Sequence, residues 1–118
     1  MTKQMRIFTM GYESTTVAEF IAALREAGVE RVIDVRALPL SRRPGFSKSP
    51  LRAALEEVGI EYLHLKALGT PADGRTAARA GRHSDMARIY GGQLELPEAI
   101  AQSAQMLALA EERPTALL

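Results

Sequence analysis

Asp34 and Arg36 form an ionisable pair within a β-branched run, Val32-Ile33-Asp34-Val35-Arg36. Residues two apart on a strand point to the same face, so the pair stands side by side where the strand ends. A charge among Val and Ile is costly unless it is paired or hydrogen-bonded. One reading is a structural ion pair, or an Asp that caps a neighbouring loop. The other is chemical. Asp34 would act as a base or ligand orienter, and Arg36 as an anion clamp, because a guanidinium presents a rigid fork suited to phosphate or carboxylate. His64 is either a satisfied, half-buried histidine or a general acid/base near neutrality. Tyr12 follows Gly11 in a turn, placed either to donate a hydrogen bond to a substrate or to cover the sheet edge.

The loop after the pair carries Ser41, Arg42, Arg43, Gly45, Ser47 and Lys48. Hydroxyls, cations and a glycine that permits close backbone approach are the parts of a phosphate cradle, leading into a helix N-terminus that favours anions. The Gly-x-x-x-x-Gly-Lys-Ser/Thr spacing of a Walker A loop is absent. Phe46 is expected to anchor the loop to the core rather than to stack on a base. From Arg36 to Arg88 there are ten Lys/Arg against five Asp/Glu, although the whole chain carries only +1. Such a local excess attracts phosphate or another anion. Arg75, Arg79 and Arg82 would share one side of a helix, but base-stacking aromatics are missing nearby, so nucleic acid is the weaker partner. Cysteine is absent and there are two histidines. Thiolate chemistry is thereby excluded within the chain, and two histidines are too few for a His-rich metal site, which leaves open only a site of histidine with carboxylate; no metal or other cofactor is expected.

These residues need a scaffold. The 118 residues, 47% hydrophobic, suit one α/β domain over 1–118. No run approaches the roughly 18 apolar residues that cross a bilayer, and the first residues lack a leader's apolar region. A cytoplasmic location without membrane contact is expected. Residues 5–10 read as a first strand, central in the sheet, and Thr16 with Glu19 as a capping box opening a helix that Gly28 stops. Residues 29–36 and 60–65 read as the second and third strands. Between them, Ser49-Pro50 opens a helix with a buried stripe of Leu51, Leu55 and Val58. Residues 66–82 read as a long loop, helical at most over 76–80, and 85–90 as a short turn broken by Gly91-Gly92. Residues 97–112 form a helix with Ile100, Ala104, Leu107 and Ala108 along one side, and 115–118 open a fourth strand. Strand and helix alternate, as in a three-layer α/β domain with a mostly parallel sheet of Rossmann-like or rhodanese-like style. Ligands then bind at the carboxyl ends of the strands, where Gly11, Asp34, Arg36 and His64 are expected to converge. The sequence leaves oligomeric state open, though an open last strand invites pairing with a neighbouring chain.

In order along the chain, Thr9-Met10-Gly11-Tyr12, Asp34-Val35-Arg36, Pro39-Leu40-Ser41-Arg42, Gly45-Phe46-Ser47, Tyr62-Leu63-His64-Leu65 and Leu68-Gly69 resemble the pattern of the bacterial and archaeal domain of unknown function numbered 488. The resemblance implies an α/β domain with a site at these motifs, and no particular reaction. Its pattern continues past the last strand into a Cys-His-Arg segment that these residues lack. That implies either a domain that works without the segment or a site only partly carried by 1–118. The Asp-Val-Arg piece also resembles rhodanese-like domains, without their active cysteine. An enzyme acting on a phosphate-bearing or nucleotide-like substrate fits best, with Asp34, His64 and Tyr12 catalytic and Gly11, Arg36, Ser41, Arg42 and Lys48 binding substrate. The alternative is a non-catalytic module for nucleic acid or another anionic partner.

Overall fold

The computed structural model describes residues 7–11 and 14–118. Its elements run β1 (Ile7–Thr9), α1 (Val17–Glu26), β2 (Arg31–Asp34), α2 (Lys48–Glu57), β3 (Glu61–His64), a tight turn (Lys66–Leu68), α3 (Ala72–Arg79), α4 (His83–Leu94), α5 (Pro97–Glu112) and β4 (Thr115–Leu117). The four strands form one all-parallel sheet in the order β1-β4-β2-β3. The expected central position of the first strand is therefore a correction. β4 inserts between β1 and β2, leaving β1 at an edge with only part of its side chains buried. The strand buried at every residue is β2, between β4 and β3.

Alternation along β2 sorts the core into two layers. Val32 packs with Phe20 and Leu24 of α1, Leu51 and Leu55 of α2, and Tyr62 of β3. Ile33 faces the other way, toward Leu117 of β4 and Met106 and Leu109 of α5. The result is α1 and α2 on one face and α5 on the other, a three-layer α/β arrangement. α1 begins as expected: the Thr16 hydroxyl accepts the Glu19 N–H at 3.1 Å, and the Glu19 carboxylate accepts the Thr16 N–H at 3.3 Å.

Several helices depart from expectation. α2 is capped at Ser47, two residues before Ser49, and its last apolar residue, Val58, lies at the surface. The expected loop over 66–82 contains α3, started at Pro71, with three alanines and two arginines, all strong helix formers, among its eight residues. Gly74 within it is buried, and a Cβ there would lie 2.9 Å from Thr70 Cγ2 and 3.3 Å from Ile89 Cγ2, so the missing side chain lets α3 close on α4. α4 runs straight through Gly91-Gly92. Its end is held from outside: the Tyr90 hydroxyl donates to the Leu68 carbonyl and Gln93 Nε2 to that of Ala67, which offsets the low helix propensity of two glycines. α5 has its expected bounds but turns another face inward. Ala99, Met106, Leu109 and Ala110 face the protein, whereas Ile100 and Leu107 are exposed. Spacing alone cannot say which of two apolar stripes meets the sheet. Among the described residues no helix is long and apolar enough to cross a membrane.

Candidate functional site

The carboxyl end of β2 is held by one carboxylate. Asp34 is fully buried and shares its face with Val32, opposite the neighbouring strand's His64 in register. Its Oδ1 accepts the Arg36 backbone N–H at 3.0 Å and Nε–H at 2.8 Å. Its Oδ2 accepts Arg36 Nη2–H at 2.7 Å and the Tyr62 hydroxyl at 2.5 Å. Burial alone would raise the carboxyl's pKa. The hydrogen bonds from Arg36 and Tyr62 and the adjacent positive charge outweigh it, so Asp34 lies below the ordinary carboxylate value. Tyr62 moves upward, through burial and through donation to the Asp34 carboxylate.

Arg36 extends this cluster into the following loop. Its Nη1 donates to the Phe46 carbonyl at 2.7 Å, and Phe46 is buried edge-on to Phe20, ring centroids 5.4 Å apart. The Lys48 N–H donates to the Pro39 carbonyl at 2.8 Å. The Ser41 N–H donates to the Ser47 hydroxyl at 3.0 Å, and the Arg43 N–H to the Ser41 hydroxyl at 3.1 Å. The loop is thus closed by its own serines and by the Asp34–Arg36 pair. His64 Nε2 lies 2.7 Å from the Arg36 carbonyl. A carbonyl only accepts, so Nε2 carries the hydrogen and the neutral ring leaves Nδ1 as an acceptor. Asp34, Arg36 and His64 are therefore brought together, with Tyr62 as a member that the sequence reading leaves without a role. The period-two alternation that pairs Val32 with Tyr62 places its hydroxyl on the Asp34 face.

The remaining candidates stand elsewhere. Gly11 follows the edge strand, separated from β2 by β4. Tyr12 lies outside the described residues. Arg42 in the loop and Lys48 at the start of α2 are both exposed, and neither lines the cleft described next.

An open cleft of about 550 Å³ lies beyond the carboxyl ends of β2 and β4. Arg36, Arg75, Arg79 and Tyr90 line it together with Leu38 and Leu40, and among the described residues no Asp or Glu does. Arg75 and Arg79 are four apart on α3 and so share a face. Arg75 Nη1 is fixed by donation to the Thr70 carbonyl at 2.8 Å. Leu38 and Leu40 are 53% and 65% exposed, unusual for leucines beside three cations. The helical spacing of Arg75 and Arg79 is legible in the sequence, but the sequence reading weighs it only against nucleic acid, where the missing aromatics set it aside; a small anionic ligand needs no such aromatics. Among the described residues no group of three His, Cys, Asp or Glu side chains is placed to hold a metal ion.

No curated protein and no solved structure matches the chain. A family model does, over residues 16–118, which include β2, β3, the loop between them and the arginine cleft. The chain belongs to the family described as Domain of unknown function DUF488.

Proposed function

We propose that the domain binds a phosphate-bearing or nucleotide-like small molecule in the cleft between the β2 loop and α3. One observation carries this reading: Arg75 and Arg79, with the Asp34-paired Arg36 beside them, line a cleft at the carboxyl ends of parallel strands, and among the described residues no carboxylate lines it. Arg75 and Arg79 supply the binding forks. Arg36 contributes positive charge while its hydrogen bonds hold Asp34 and Phe46. Asp34, buried and held ionised, is a positioning group in this reading rather than a proton carrier. A cytoplasmic setting, where phosphate esters abound, belongs to the same proposal.

Isothermal titration with inorganic phosphate, pyrophosphate and ADP tests it. The chain should bind at least one of them, and Arg79→Ala should weaken that binding about tenfold or more, with partial recovery in Arg79→Lys. Arg79 is exposed, so stability should stay within about 0.5 kcal/mol. No binding at low salt, or equal affinity in Arg79→Ala, overturns the proposal. Nucleic acid is distinguished by a steep salt dependence shared by all sequences.

A second reading, catalysis, has its own observation. Among the described residues His64 Nδ1 has no protein partner, while Nε2 is held by the Arg36 carbonyl. An oriented imidazole with one free nitrogen suits general acid/base work. Turnover of a bound phosphate ester that disappears in His64→Gln, with binding retained, would establish it.

A further inference from the structure

The arginine cleft has a neighbour. A second cavity of about 450 Å³ shares four lining residues with it: Ala37, Leu38, Gly69 and Arg75. The shared wall is tightly built. A Cβ at Gly69 would lie 2.1 Å from the Ala37 nitrogen and 2.5 Å from the Val35 carbonyl oxygen, so only glycine lets the two backbones meet there. Arg75 stands at this waist, anchored to Thr70 through Nη1. Each cavity alone falls in the range of roughly 300–1,000 Å³ usual for small-ligand pockets.

The two lobes differ in chemistry. The arginine lobe joins Arg36 and Arg79 to the apolar surfaces of Leu38 and Leu40. The second lobe has Lys66, Gln93 and a carboxylate, Glu98. A carboxylate repels phosphate but accepts hydrogen bonds from hydroxyls, and an ammonium and an amide donate them. One end therefore suits an anion carrying a flat or apolar group, and the other a neutral, hydroxyl-rich group. An arginine between them suits a negatively charged link.

We infer that the two lobes form one site for a two-part phosphate ester, in which a pyrophosphate at Arg75 and Arg79 joins a nucleoside lying against Leu38 and Leu40 to a sugar held by Glu98 and Lys66. Nucleoside diphosphate sugars and dinucleotides are the class. The inference rests on the anion-binding reading of the cleft and adds the second lobe.

ADP-ribose and ADP are the probes, titrated separately into the whole chain. ADP-ribose should bind about tenfold tighter, the yield of one or two added hydrogen bonds to charged groups. Ala72 lines only the second lobe and is exposed. Ala72→Trp fills that lobe and should bring ADP-ribose down to the level of ADP. Glu98→Gln gives the same comparison without added bulk and should narrow the gap several-fold. If ADP and ADP-ribose bind alike and Arg79→Ala weakens both, the second lobe takes no part: the inference falls and the anion reading stands. If neither binds, the inference falls, and the anion reading falls with it when phosphate and pyrophosphate also fail to bind. A tenfold gap that survives both Ala72→Trp and Glu98→Gln also overturns the inference.

Discussion

An arginine stands at each end of β2, Arg31 buried and Arg36 half-buried just past the strand, and the two are used in opposite ways. At the amino end, Arg31 is buried on the α5 face. Its Nε and Nη2 donate to Glu61 Oε2 at 3.0 and 2.8 Å, and its Nη1 to the Leu109 carbonyl at 2.8 Å and to Glu112 at 3.2 Å. Arg113 adds a second cation 3.8 Å from Glu61. Two arginines meet two glutamates there, and the glutamate side chains are 40% and 60% exposed. At the carboxyl end the acid is the buried partner, Asp34, and it faces Arg36 at 14% exposure. Nearby, Arg75 and Arg79 add charge that, among the described residues, no carboxylate lining the cleft answers. Among the described residues, glutamates answer the arginines where the strand enters the sheet, and no carboxylate lines the arginine cleft where it leaves. The second is the end at which the proposed anion would bind.

The largest expected effect tests where the charge is buried. Asp34→Asn should cost about 3–5 kcal/mol, because it removes the buried negative charge to which Arg36 and Tyr62 both donate. Glu112→Gln, at the exposed end of the other cluster, should cost at most about 1 kcal/mol. Urea unfolding of both variants reads the difference. Equal losses would erase the distinction between the two ends.

The pH dependence of stability sharpens it. The folded pKa of Asp34 lies below its ordinary 3.8, so its stabilisation is complete above that value and is lost as pH falls through the depressed one. The folded pKa of Tyr62 lies above its ordinary 10.0, so its stabilisation is present below 10 and fades as pH rises beyond it. Stability from this cluster should be flat between about pH 4 and 10 and fall on both sides. Tyr62→Phe should remove the alkaline fall and leave an acid one. An alkaline fall of unchanged size in Tyr62→Phe would show that another group sets it.

Gly69→Ala comes next. Overpacking against the Val35–Ala37 backbone should cost about 1–3 kcal/mol, and it should also narrow the waist between the two lobes. Chemical unfolding reads the first, and affinity for ADP-ribose the second. Normal stability with normal affinity would mean that the wall yields, and that the waist is not a fixed feature.

How much of this the sequence carries follows from which signals are local. The Thr16–Glu19 capping box depends on residues three apart and is legible directly. So is the buried pair Asp34 and Arg36, because its spacing and its β-branched setting are both local. The place of β4 is not. Its three residues give no sign that they insert between β1 and β2, which depends on where the whole sheet packs. α3 and the full length of α4 are obscured by Gly74, Gly91 and Gly92, which local propensity counts against a helix and tertiary contacts tolerate. The cleft inherits that blind spot, since two of its three arginines ride on α3.

The smallest expected effect concerns how α4 is tied to the carboxyl end of the sheet. The Tyr90 hydroxyl donates to the Leu68 carbonyl, and Tyr90 also lines the cleft. Tyr90→Phe keeps the ring and removes one hydrogen bond, so it should cost about 0.5–1.5 kcal/mol. The loss should be local. Hydrogen exchange at the Gly69 N–H, which donates to the Lys66 carbonyl at 3.1 Å, should speed up. The Glu61 N–H, which donates to the Glu30 carbonyl at 3.0 Å beside the Arg31 cluster, should exchange as before. A uniform rise at both amides would make the two ends of β2 one cooperative unit. A rise confined to Gly69 would make the cleft end separately adjustable, as a ligand-responsive region requires, because sites that move are drawn from the less stable part of a fold.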